Sequence, residues 1–323
     1  MAVNQDWRPL EVTPETADVE PSQRGLIDHL ARAGDTGRLL EVAKAVVYRG
    51  FAVRPDALDS VLDHLLPERL AYVHGNSPRD RIGRNLYTST EYPQNFTISL
   101  HNELSYTRSW PTRLLFYCEI PPTAGGATPV LDGQRWLSAI DPYVREAFTG
   151  GVRYTQNLHG GWGLGRSWQA TFETDDRDVV ETFLAGSGAQ WWWRSDGGLR
   201  VTQVRDATVR HPVTGAQVWF NQADQWHVAG LGDETSAALA AIITEEDLPQ
   251  SAEFADGSPI PAEYVAHVRD VGLANAVDVD WNAGDLLLID NVLVAHGRRP
   301  FTGDRRVLVS MSGGSHGAAG DGR

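Results

Sequence analysis

Residues 285–311 read DLLLIDNVLVAHGRRPFTGDRRVLVSM. An apolar run meets a turn at Asp290-Asn291, a second apolar run ends on His296, and a polar turn leads into a third run from Arg306. Runs of this length, bounded by Gly, Pro, Asn and Asp, predict successive β-strands. The same pattern recurs upstream in FTISLHNEL (96–104), RLLFYCEI (113–120), TPVLD (128–132), VRYTQNL (152–158), LRVTQV (199–204) and QVWFNQ (217–222). Turn-rich pieces such as PPTAGGA, HPVTGA and NAGD separate them. Many short strands without regular strand–helix alternation predict a mainly β chain with flanking helices, a barrel or double-sheet jelly roll. Helices are expected over 22–45 with a break near Gly34, and over 55–66, 134–147, 178–185 and 234–245. The predicted organisation is an extended lead-in (1–21), one domain (22–312) with an inserted region at about 155–280, and a disordered tail (313–323).

Composition limits the chemistry. The chain has 323 residues, enough for a large core, and 42 acids against 28 bases give a net charge of −14. Sequence-independent binding to nucleic acid or to an anionic membrane is not expected at that charge. With no apolar stretch for a signal peptide or a membrane span, the expected setting is soluble and cytoplasmic. Cys118 is the single cysteine, which excludes an internal disulfide, an iron–sulfur cluster and a Cys-rich zinc site. Lys44 is the single lysine and follows no glycine-rich loop, so there is no P-loop. Any metal falls to His and carboxylate, and any anion to Arg.

His101 and Glu103, in FTISLHNEL, are spaced to share one face of a strand and so to present an imidazole beside a carboxylate. With 10 His and 42 acids, roughly 1.3 His-x-acid triplets arise by chance, so the pair needs a third piece. His296 offers one. Between 296 and 306 lie four arginines and one acid, a local +3, and Arg306, Leu308 and Ser310 share one face of the last strand. An Arg directed inward there requires an anion that accepts its fork. Two imidazoles and one carboxylate leave three corners of an octahedron open, which suits a non-haem Fe(II) oxygenase with a keto-acid cosubstrate.

The segments HNE, PTRLLFYCEIPPTAGGATPVLD and GDLLLIDNVLVAHGRRPFTGDRRVL together resemble the TauD/TfdA superfamily of Fe(II)/2-oxoglutarate dioxygenases. The resemblance runs from about residue 48 to Met311 and is strongest to the SyrP-like branch, amino-acid hydroxylases of peptide natural-product (antibiotic) biosynthesis. It implies a double-stranded β-helix, with His101, Glu103 and His296 as iron ligands and Arg306 with Thr128 holding 2-oxoglutarate. Fe(II), 2-oxoglutarate and O2 are the implied cofactors and cosubstrates. Glu103 stands where related halogenases have a small residue, so halogenation is not expected. Taurine-type members carry a further Arg four positions after the clamp; Ser310 stands there, which disfavours a simple sulfonate.

The implied reaction is hydroxylation of an amino-acid-type small molecule, free or tethered to a carrier protein. Desaturation, epoxidation and cyclisation use the same residues and stay open, whereas a binding protein of cupin type would not need the inward Arg. Candidate substrate contacts are Arg108, Asn221 with Gln222, Ser310, and Trp162 in the glycine-rich HGGWGLGRSW (159–168), which has the composition of a lid.

Overall fold

The computed structural model describes residues 6–34, 36–71, 81–89, 92–231 and 244–316. The apolar run Leu286–Asp290 forms a central strand of a seven-stranded sheet, between Ala45–Tyr48 and Ser109–Ile120. Arg306–His316 pairs with the other edge of Ser109–Ile120, followed by Leu86–Thr88 and Arg81–Gly83. Facing it is a four-stranded sheet in the order Val277–Val279, Thr128–Asp132, Val294–Arg298, Ile98–His101. These two sheets are the layers of a jelly roll, the expected fold.

The unbroken apolar runs have a physical reason. Leu287, Ile289, Leu114, Phe116, Val307 and Val309 face the interior between the sheets. Leu286, Leu288, Leu115, Tyr117 and Leu308 point the other way, under helices Gln23–Ala33, Thr36–Ala43 and Leu58–Leu65. A sheet covered on both faces needs apolar residues at every position. Gly34 ends the first of those helices with φ +75, the expected break. Helix Ala262–Asn275 has no counterpart among the expected helices. It packs on the core through Val265, Val268 and Gly272, and a Cβ at Gly272 would meet Trp136 at 2.9 Å.

A third sheet, Gln190–Trp193, Leu199–Arg205, Val152–Leu158 and Gln250–Phe254, lies in the middle of the chain. The first and last described strands extend the fold beyond the expected bounds of the domain. Residues 10–12 are an edge strand paired in parallel with Ala45–Tyr48, and Trp7 is buried, so this part of the lead-in belongs to the body of the fold. The last strand continues to His316, four residues past the expected end of the domain, while 317–323 lie outside the described residues. The helix expected over 234–245 also falls almost wholly outside them. Among the described residues no helix is long and apolar enough to cross a membrane.

Candidate active site

His101 and His296 are direct partners across antiparallel strands of the four-stranded sheet, with ring centroids 4.3 Å apart. Glu103 lies just beyond, because the strand ends at His101 and the chain turns. It joins the histidines by a route other than strand alternation. Asn291 accepts from the Glu103 backbone N–H at 2.8 Å and donates to the Glu103 carbonyl at 3.0 Å. Asn102 donates to the Asn291 and Val294 carbonyls at 2.6 and 3.2 Å. Asp290 in turn accepts from the Val292 and Leu293 N–H groups and closes the turn that carries Asn291. The result is one ligand atom each from His101, Glu103 and His296, all within 4.8 Å of one another and all buried. This donor set, two imidazoles and a carboxylate, fits a divalent iron ion.

A second layer fixes the His101 ring. Its Nδ1 lies 3.0 Å from the Ser99 carbonyl and 2.9 Å from the Gln225 side-chain amide. Gln222 donates to Gln225 at 3.0 Å. Phe116 packs on His296 with centroids 4.9 Å apart. Such neighbours orient metal-binding imidazoles.

Beside the histidines opens a narrow cleft lined by Thr128, Phe116, Ser89, Arg298, Val307 and Arg305. The arginines lining it are Arg298 and Arg305, and not Arg306. Arg306, Leu308 and Ser310 do share a face, but it is the face away from the interior. Pairing steps from Arg306–Ile120 to Val307–Cys118, leaving Glu119 as the extra residue of a bulge. There the Arg306 side chain, 45% exposed, forms an ion pair with Glu119 at 2.8 Å. Arg305 donates to the Gly126 carbonyl at 3.0 Å. Burial, with the charge of Arg298 adding to it, pushes its guanidinium down to about 10. Burial also lowers Arg298, which donates to the carbonyls of Tyr92, Pro93 and Phe96. Neither has a carboxylate partner among the described residues. Two such cations in one cleft favour a bound anion. Thr128 accepts from Trp281 Nε1 at 3.0 Å, so its own hydroxyl hydrogen is a donor beside them.

The substrate candidates are dispersed. Ser310 is fully buried on the opposite face and donates to the Asn85 carbonyl at 2.8 Å. Asn221 uses both ends of its amide on backbone, donating to Ala207 O and accepting from Ala223 N. Trp162 is 98% exposed and lines no part of the cleft. Gln222 is buried in the layer behind His101, and Arg108 lies by the third sheet, donating to Gly186 O at 3.4 Å. The sequence reading missed Arg305, Arg298, Asn291 and Gln225. Asp290-Asn291 was readable as a turn, but only the fold shows what its side chains hold.

Comparison with known proteins gives this arrangement its family. The model of the taurine catabolism dioxygenase TauD, TfdA family matches residues 11–312. The chain is 36% identical to the dapdiamide synthesis protein DdaC of Enterobacter agglomerans, covering 93% of this chain and 89% of that protein. It is 31% identical to a clavaminate synthase-like protein of Arabidopsis thaliana, covering 84% and 82%. The fold matches the crystal structure of PvcB from Pseudomonas aeruginosa with TM-score 0.52 at 15% identity, over 96% of this chain and 88% of that one. It also matches an asparagine oxygenase with TM-score 0.52 at 12% identity, over 94% and 93%. The chain belongs to the TauD/TfdA family and is a non-haem iron, 2-oxoglutarate-dependent dioxygenase.

Proposed function

We propose that the enzyme hydroxylates an unactivated C–H bond of an amino acid or amino-acid-derived intermediate, free or carrier-tethered, in natural-product biosynthesis. The observation that carries the reading is the convergence of His101, Glu103 and His296 beside a cleft holding Arg305, Arg298 and Thr128. In this reading the triad holds iron, and Arg305, in place of Arg306, pairs with the far carboxylate of 2-oxoglutarate with Thr128 beside it. When bound, iron and 2-oxoglutarate supply the oxidising chemistry. The chain's own residues do the positioning. The Asn102–Asn291 pair holds Glu103 toward the histidines, Gln225 orients His101, and Phe116 and Val307 exclude water around the cleft.

Similarity to a protein of dapdiamide synthesis along nearly the whole chain supports a biosynthetic, amino-acid-derived substrate. A taurine-like role has less support, because four positions beyond Arg305 stands Val309, buried and apolar. The test is a mass-spectrometric screen of free amino acids, small peptides and carrier-bound aminoacyl groups with Fe(II) and 2-oxoglutarate. A product of +16 is expected. A product of −2 would replace hydroxylation with desaturation or ring closure, and wild-type succinate formation by His296→Ala would refute the site.

A further inference from the structure

Two arginines among the described residues are pushed down to about 10, each by burial first and a second arginine next. One is Arg305, in the cleft beside the histidines. The other is Arg205, with Arg108 as its charged neighbour. Arg205 is paired in register with Val152 and lies two residues from Gln203, the partner of Tyr154. Directly paired residues share a face, so Arg205 is on the inner side of the third sheet with Val152 and Tyr154, both buried in the main core. It donates to Ser187 O at 3.0 Å and to the buried Gln203 amide at 2.7 Å, while its Nε is buried with no hydrogen-bond partner. Arg108 reaches the preceding carbonyl, Gly186 O. The two guanidiniums therefore meet at the end of helix Arg177–Ser187.

That helix end is not a sufficient counter-charge. A helix C-terminus carries roughly half a negative charge, against two full positive ones. Among the described residues neither arginine has a carboxylate at ion-pair distance, Asp206 acting on Arg205 through its charge alone, whereas the buried Arg69 has both Asp59 and Asp63. The pair also connects to the iron site. Arg108 lies five residues after Glu103 in the chain. Tyr106, Tyr154 and Trp226, all buried in the main core, pack together at tilted or edge-on angles with centroids 4.7–6.2 Å apart. Tyr154 Oη accepts from Gln222 N, and Gln222 and Gln225 lead to His101.

We propose that Arg108 and Arg205, with the Gln203 amide, form a second anion subsite that binds a carboxylate of the organic substrate. This rests on the amino-acid reading above and deepens it: the substrate presents a free carboxylate away from the bond that is oxidised.

The experiment uses the enzyme loaded with Fe(II) and 2-oxoglutarate, and as probes the twenty L-amino acids and their α-carboxamides, with succinate formation measured. Acids that stimulate turnover are expected to have a KM at least tenfold below that of their carboxamides. Arg205→Met and Arg108→Met should each erase that preference, Arg205→Lys should restore part of it, and Arg305→Met should instead raise the KM for 2-oxoglutarate. If Arg205→Met does not fold, the half-buried Arg108→Met carries the comparison. Carboxamides that match their acids, or variants that keep the preference, would overturn the subsite while leaving the amino-acid reading intact. If no probe of either kind stimulates turnover, the subsite as a holder of a free amino-acid carboxylate falls, and the small peptides and carrier-bound aminoacyl groups of the screen above decide the amino-acid reading separately.

Discussion

Asn291 and Glu103 are joined by two hydrogen bonds, N–H to Oδ1 at 2.8 Å and Nδ2–H to carbonyl at 3.0 Å, although they stand 188 residues apart in the sequence. Asn291 also donates to Pro111 O at 2.8 Å and is fully buried. Its amide is thus the splint that keeps a turn residue in line with two strand histidines.

Removing that splint should loosen the metal site before it unfolds the protein. Asn291→Ala is expected to weaken Fe(II) or Co(II) affinity by about 10- to 100-fold, the usual effect of losing a group that orients a metal ligand. Metal titration followed by absorbance checks it, with the thermal midpoint recorded alongside. Unchanged affinity would mean that Glu103 is positioned by its own turn.

Arg305 and Arg306 are adjacent, yet they should behave differently. A charge-assisted hydrogen bond contributes about 1.5–3 kcal/mol, so Arg305→Met should weaken 2-oxoglutarate binding by roughly 10- to 100-fold. Arg306→Met breaks only a half-exposed ion pair with Glu119 and should change it less than about twofold. Anaerobic titration of the Fe(II)–2-oxoglutarate absorption band measures both. The reverse order of effects would put the clamp back on Arg306.

The single lysine has a structural assignment. Lys44 Nζ lies 2.6 Å from the carboxylate of Asp132, which is 1% exposed and also accepts from the Gln134 N–H at the start of a helix. Lys44→Met strands that carboxylate and should cost about 3 kcal/mol, the low end for a broken buried pair because the ammonium is partly exposed. In urea melts the double variant Lys44→Met/Asp132→Asn should recover part of the loss. A double variant no better than the single one would place the cost elsewhere.

Stability should also fall in alkali. Burial pushes the Cys118 thiol and the Tyr48 and Tyr117 hydroxyls up to about 12. Unfolded, these groups ionise at their ordinary values of about 9–10, so between there and 12 the unfolded chain binds fewer protons than the folded one and gains on it. The urea midpoint is expected to hold from pH 7 to about 9 and then decline. Native Cys118 should also resist alkylation at pH 8 until denaturant is added, and rapid native labelling would contradict its burial.

The sequence made the layers legible because turns and apolar runs report strand boundaries directly. Facing was harder. Arg306, Leu308 and Ser310 do alternate together, but VLVSM is apolar on both sides because helices cover one face and the jelly-roll interior the other. Nothing in such a run marks which face is inside, and the bulge at Glu119 is set by the partner strand. The same limit applies to Asn221 and Trp162, whose residue types suit a pocket but whose surroundings are backbone and open solvent. Helix Ala262–Asn275 was obscured because its buried positions include Gly272, a residue with no side chain to mark a core face.

The cross-strand pairing of His101 with His296 ties the site to the assembly of the fold. Neither histidine has the other nearby until the four-stranded sheet has closed over a loop spanning most of the chain. A ligand that needs both therefore binds the folded state and not the unfolded one, and its binding free energy adds to conformational stability. Chelation and heat would act on the same equilibrium, so iron supply helps determine how much of this enzyme stays folded.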